Sequence, residues 1–123
     1  MLSVEEIQKT LPHFSSTENY YRHTLGGFYY TDGVEYLAQS SEAYWLIDAI
    51  ASYQMSKKLR SNESLQEFQI WKLQVNEDKS ATLTLEADTD QVVLTQKIPY
   101  TTFPLTEIRF YLGNKVLMLA SEY

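Results

Sequence analysis

The chain of 123 residues contains no cysteine, only three prolines and four glycines. The lack of cysteine excludes disulfides, thiolate zinc sites and cysteine nucleophiles. No apolar run approaches the ~18 residues of a membrane span, and the first residues lack the basic flank and apolar core of a signal peptide. We therefore expect a single soluble, cytoplasmic domain over residues 1–123, without a membrane partner.

Basic residues are also scarce, since ten Lys and Arg stand against sixteen Asp and Glu, for a net charge of −6. A basic surface supplies most of the affinity for a phosphate backbone, so we do not expect direct binding to nucleic acid. A basic protein, including one that binds nucleic acid, is an easier partner. Such a charge also simply keeps a small protein soluble.

Motifs of the common cofactor and hydrolase classes are missing as well. The sequence has no Gly-rich phosphate loop, no strand followed by GxGxxG and no GxSxG turn. Its two histidines, His13 and His23, are too few and too isolated for a zinc site of protein ligands alone. We predict neither a metal nor a cofactor.

Aromatic residues are plentiful, at 14% of the chain with ten tyrosines. Tyrosine-rich surfaces often bind other molecules, although tyrosine is also common in half-buried positions of ordinary sheets.

Helical signals dominate the first half of the sequence. Ser3 and Glu6 form a capping box for a short helix, and an Asp-x-x-Glu start at Asp32 predicts a second one. Ser41 is the expected N-cap of a longer helix that is apolar over more than half its circumference. We predict that this helix is central and buried, with one face formed by Trp45, Ala49, Ile50 and Tyr53. Between the first two helices, Gly26-Gly27 predicts the turn of a small hairpin.

After Asn62 the apolar period changes from helical to alternating. Trp71, Leu73 and Val75 lead into a hairpin with a second alternating segment, and the segment 88–90 is expected to form the next turn. Gly113-Asn114 predicts a two-residue connection that places Phe110 opposite Leu117. The fold class is therefore α+β, with N-terminal helices packed on an antiparallel meander sheet of about five strands.

One loose group of residues could carry chemistry or binding. Its members, drawn from the glycine hairpin and the helices that follow, are Tyr20, Tyr21, Arg22, His23, Asp32 and Asp48. Burial could move the pKa values of the histidine and the carboxylates toward neutrality for acid/base work. Each also has a structural interpretation: Asp32 as a helix cap, Arg22 and His23 as surface residues of a hairpin, and Asp48 as a buried carboxylate bonded to a tyrosine or to Arg22.

Several long segments resemble one known family. TENYYRH, YTDGVEYLA, AYWLIDAIASYQ, IPYTTFPLTEIRFYL and VLMLASEY are similar to a bacterial domain-of-unknown-function family, number 6876, over nearly the whole chain. The resemblance implies a bacterial, plasmid or phage origin and brings no activity, cofactor or catalytic residue with it. Thr102 and Ala120 depart from the family pattern, where an acidic residue and a proline are expected.

The function that we expect is a small, acidic, non-enzymatic protein-interaction domain. A sharper version is an inhibitor from a mobile element that mimics nucleic acid through carboxylates arrayed on one surface, such as Glu77, Asp78, Asp88 and Asp90. The alternative is an enzyme or small-ligand binder, which requires Tyr21, Arg22, His23 and Asp48 to converge in one pocket. A third hypothesis is a homodimer formed through an edge strand, either 71–75 or 116–119.

Overall fold

The computed structural model describes residues 3–87 and 91–123. Within these ranges, α-helices pack on one side of a seven-stranded sheet. The helices are α1 (Val4–Thr10), α2 (Asp32–Ser40), α3 (Tyr44–Tyr53), α4 (Lys57–Arg60) and α5 (Glu63–Glu67). The strands are β1 (Tyr20–His23), β2 (Phe28–Thr31), β3 (Phe68–Val75), β4 (Ala81–Glu86), β5 (Val92–Ile98), β6 (Glu107–Gly113) and β7 (Val116–Leu119). Two 3₁₀ helices, Leu11–His13 and Ala120–Glu122, complete the described elements.

The sheet is larger and less regular than the sequence pattern indicates. Its strand order is β1-β2-β7-β6-β3-β4-β5, and every neighbouring pair is antiparallel except β2 with β7. The α+β class is confirmed, whereas the expected five strands and the meander order are wrong. The loop after β5 returns the chain across the sheet, so that β6 pairs with β3 rather than with β5. The glycine hairpin then extends the sheet through the parallel pairing of β2 with β7.

The β3–β4 hairpin follows its alternating pattern closely. Trp71 lies opposite Leu85 and Leu73 opposite Leu83, and all four side chains are fully buried. Cross-strand apolar pairs of this kind stabilise one face of an antiparallel sheet. Helices α2 to α5 cover this face, and the other face remains partly open to solvent.

The β6–β7 hairpin is tight, as predicted, but its turn lies one residue further along. Asn114 and Lys115 occupy the two turn positions with φ of 50° and 61°, the left-handed values that a primed two-residue turn requires. Phe110 therefore pairs with Leu119 and Leu112 with Leu117, two residues away from the expected register. Since the side-chain period of a strand is two, the same residues still face the core.

Helix α3 is the predicted central helix, but it is buried on one side only. Its buried residues are Leu46, Ile47, Ile50 and Ala51. Tyr44, Asp48 and Ser52 form an exposed row with a spacing of four. The predicted N-cap is also wrong, because α3 begins after Ala43, which has no capping side chain, while Ser41 is buried.

The two strands expected at the edges of the sheet are both internal. β3 lies between β6 and β4, and β7 lies between β2 and β6. The outer strands of the described sheet are β1 and β5. The expectation that β3 or β7 is an exposed edge strand is therefore wrong, because each is paired with a neighbouring strand on both sides. Formation of a homodimer stays a prediction.

Candidate functional site

The four predicted site residues on β1 do not converge, because successive side chains of a strand point to opposite faces. Tyr21 and His23 face the helices, since they pair with Tyr30 and Phe28 on β2. Tyr20 and Arg22 face the other side of the sheet, and both are exposed. The expectation that Arg22 shares one pocket with Tyr21 and His23 is therefore wrong.

Asp32 stands at the first position of α2 and holds the preceding loop against the hairpin. Its carboxylate accepts hydrogen bonds from the backbone N–H groups of Glu18 and Asn19, at 3.0 and 3.2 Å, and from the hydroxyl of Tyr21 at 3.2 Å. The bond from the Glu18 N–H is the largest of the causes that lower the pKa of Asp32. The N-cap itself is Thr31, whose hydroxyl accepts from the N–H of Val34, so the capping role predicted for Asp32 belongs to its neighbour.

His23 and Asp48 meet as the sequence hypothesis requires, although not in a buried setting. Nε2 of His23 lies 2.9 Å from Oδ1 of Asp48, whose side chain is 71% exposed. The expectation that Asp48 is a buried carboxylate paired with Arg22 is therefore wrong. The error arises because the sequence does not show which side of α3 the sheet covers.

The hydrogen bonds of His23 fix its tautomer. Nδ1 accepts a hydrogen bond from the backbone N–H of Gly26 at 3.1 Å, so the proton must sit on Nε2, which donates it to Asp48. Both ring nitrogens are thereby engaged, and no lone pair of the imidazole is free to act as a base. The contact joins the hairpin turn to α3, and this arrangement favours a structural role over a catalytic one.

Three residues that the sequence reasoning missed complete the site. The hydroxyl of Tyr44 donates to the carboxylate of Glu35, and this bond is the main cause that raises the pKa of Tyr44 to about 12. Burial, followed by the charge of Glu35, also raises the pKa of Tyr30. Tyr30 in turn stacks on Tyr21 with ring centroids 5.5 Å apart.

We call this surface the acidic tyrosine face, and it comprises Tyr21, Tyr30, Asp32, Glu35, Tyr44 and Asp48. The sequence contained only a faint signal for it, namely carboxylates and tyrosines that recur through residues 21–48. Their convergence depends on the angle between α2 and α3, which the sequence pattern does not specify. In the part of the chain that the structure describes, Lys72–Glu107 is the one ion pair between a carboxylate and a lysine or arginine. The acids of the acidic tyrosine face are thus bonded to hydroxyls, N–H groups and a histidine.

Neither a metal site nor a membrane helix is found among residues 3–87 and 91–123. No group of three or more histidine and carboxylate side chains in these ranges is arranged to hold a metal ion. None of the described helices has the length and apolar character needed to cross a bilayer.

Comparison with known families places the chain in one of them. The model of a family described as a family of unknown function, DUF6876, matches residues 5–123. The chain belongs to this family. No curated protein and no solved structure matches it significantly. The match to DUF6876 confirms the resemblance expected from the sequence, and it spans the whole acidic tyrosine face.

Proposed function

We propose that this DUF6876 protein is a non-enzymatic interaction domain whose acidic tyrosine face binds a basic segment of another protein. The observation that carries the proposal is the position of Glu35, whose carboxylate is bonded to the Tyr44 hydroxyl and lies close to Tyr30. Asp48, on the same exposed row of α3 as Tyr44, adds a second accessible charge. Lysine or arginine side chains could neutralise these carboxylates while stacking on the tyrosine rings.

The residue composition of the acidic tyrosine face favours a protein partner over a small-molecule ligand. Tyrosine supplies a large contact area at low entropic cost, and its hydroxyl can exchange one hydrogen-bond partner for another. His23 lacks a free base nitrogen, which weakens the enzymatic alternative centred on His23 and Asp48.

Inhibition by mimicry of nucleic acid, and an origin on a bacterial mobile element, stay predictions. Of the carboxylates named for mimicry, Asp88 and Asp90 lie outside the described residues. Glu77 and Asp78 lie in the connection between β3 and β4, where Ser80 bonds to Asp78 and lowers the pKa of its carboxyl. The proposed interaction does not depend on these four residues.

The test is a pull-down from native host lysate with two matched double variants. Glu35→Gln with Asp48→Asn removes two charges from the acidic tyrosine face, and Glu63→Gln with Glu67→Gln removes two from exposed positions of α5. We expect the wild type and the α5 variant to retain the same protein at low salt, and the first variant to lose it. Retention should weaken as salt screens the charges. Equal retention by both variants, or no specific protein with the wild type, would contradict the proposal.

A further inference from the structure

A second feature, separate from the acidic tyrosine face, is a polar cleft of about 200 Å³ between the glycine hairpin, α5 and the β6–β7 turn. Gln54, Gln66, Gln69 and Lys115 supply its polar lining, and Phe28 and Leu112 its apolar wall. A cavity of ~150 Å³ is enough for a benzene-sized molecule. The cleft therefore suits a small metabolite rather than a peptide or a nucleotide.

The floor of this cleft is a primary amide held in one orientation. Gln69 is 2% exposed, and its Oε1 accepts a hydrogen bond from Nε1 of Trp71 at 2.8 Å. Its Nε2 donates to the carbonyl of Leu65 at 2.9 Å. Because the indole N–H only donates and the carbonyl only accepts, these two bonds determine which end of the amide is oxygen.

Gln69 also fixes the orientation of the Gln54 amide. The two amides exchange reciprocal hydrogen bonds of 2.8 and 2.9 Å, and the remaining N–H of Gln54 donates to the carbonyl of Ile50 at 3.1 Å. All four hydrogen-bonding positions of Gln69 are now filled. Gln54 has used both N–H groups and keeps only one lone pair on Oε1, so toward the cleft it is a pure acceptor.

Two other side chains of the lining supply hydrogen-bond donors. One N–H of Gln66 is bonded to the carbonyl of Leu59, which leaves its second N–H and its oxygen without a partner in the described part of the chain. The side chain of Lys115 likewise makes no hydrogen bond or ion pair with any described residue, whereas its backbone carbonyl accepts from the N–H of Tyr29. It is the one charged side chain among those that line the cleft. The cleft thus combines a cation and an amide N–H with a preorganised acceptor.

We propose that this cleft binds a small carboxylate that also carries a neutral hydrogen-bond donor, such as a hydroxy acid or a carboxamide acid. The carboxylate would accept from Lys115 and the free N–H of Gln66, and the neutral donor would reach Oε1 of Gln54. A cationic donor is disfavoured by Lys115. Phe28 and Leu112 contact the short carbon chain between the two groups.

Three related probes test the proposal by nuclear magnetic resonance of the glutamine side-chain amides. Succinamate carries both a carboxylate and a carboxamide, butyrate lacks the donor, and succinamide lacks the charge. We expect succinamate to shift the amide signals of Gln54, Gln66 and Gln69 in a saturable way, with butyrate and succinamide at least ~tenfold weaker. The absence of saturable shifts with succinamate, or equal affinity for butyrate, would overturn the proposal.

The structure also supplies a matched pair of lysine variants. Lys115 and Lys79 both lie in hairpin connections with left-handed backbone, at φ of 61° and 69°, and only Lys115 lines the cleft. Lys115→Met should weaken succinamate binding at least ~tenfold, while Lys79→Met should leave it unchanged. Melting curves of both variants check that they fold. Equal affinity of the two variants for succinamate would reject the role of Lys115 and, with it, the proposed ligand class.

Discussion

The β3–β4 hairpin and the β1–β2 hairpin belong to one sheet but are held in place by different forces. In β3–β4, Trp71, Leu73, Leu83 and Leu85 are buried opposite one another. In the β1–β2 hairpin only Phe28 is fully buried in the core, and Tyr30 packs partly against it. Beyond its backbone pairing with β7, the hairpin is anchored by polar side-chain contacts, such as those of Tyr21 with Asp32 and of His23 with Asp48. A hairpin held by burial follows its own alternating pattern, whereas one held by polar contacts depends on where other elements bring their side chains.

The polar anchors of the β1–β2 hairpin include the end of the chain. Glu122 accepts hydrogen bonds from the hydroxyl of Thr31 at 2.6 Å, from the N–H of Gly33 at 3.3 Å and from the N–H of Leu119 at 3.0 Å. The Glu122 carboxylate therefore links the start of α2 to the end of β7. A Cβ at position 33 would lie 2.5 Å from Oε1 of Glu122, so a larger residue there would displace the Glu122 carboxylate from these contacts.

The largest loss of stability is expected from a cavity in the β3–β4 hairpin, whose apolar side chains are buried. Leu83→Ala removes a side chain with no exposed surface, and we expect it to lower the free energy of unfolding by ~2–5 kcal/mol. Thr82→Ala, one position away on the opposite face, should cost no more than ~0.5 kcal/mol. Urea unfolding of both variants measures the difference. Similar losses would mean that burial on one face does not dominate this hairpin.

A smaller loss of stability is expected from a substitution at Glu122, which bonds the β1–β2 region to the C-terminal segment. Glu122→Gln keeps the size of the side chain but replaces one acceptor oxygen with a donor, so one of its three bonded groups loses its partner. We expect a loss of ~1–3 kcal/mol in the same measurement, and little change for the exposed Glu67→Gln. If Glu122→Gln were as stable as the wild type, the contacts at the chain end would not hold this region.

The smallest effect concerns Asp32 and is diagnosed by the pH dependence of stability. Because the folded state lowers the pKa of Asp32, its contribution to stability is present above the unfolded pKa and disappears as the pH falls through the folded value. Below pH ~4 the wild type should therefore lose stability more steeply than Asp32→Asn. Thermal melting across the acid range gives both slopes. Equal slopes for the wild type and Asp32→Asn would show that protonation of Asp32 does not change the stability of the fold.

The sequence predicted features that depend on neighbouring residues better than features that depend on contacts between distant residues. The α+β class, the β3–β4 pairing and the glycine hairpin follow from periods of two or 3.6 residues and from turn chemistry. The place of β6 beside β3 could not be predicted, because several strand orders bury the same alternating faces equally well. The contact of His23 with Asp48 joins two of the proposed residues, but nothing local shows that Asp48 is exposed.

The sequence by itself determined the local elements and which side of most strands is apolar, because backbone sterics and the hydrophobic effect act on neighbouring residues. It also determined the family. The tertiary structure alone decided that Tyr44 reaches Glu35, that Glu122 accepts from the N–H of Gly33 in the first turn of α2, and that Gln69 orients Gln54 beside a cleft. The physical reason is that hydrogen bonds between distant residues require distances near 3 Å, and only the packing of whole elements fixes positions to that precision.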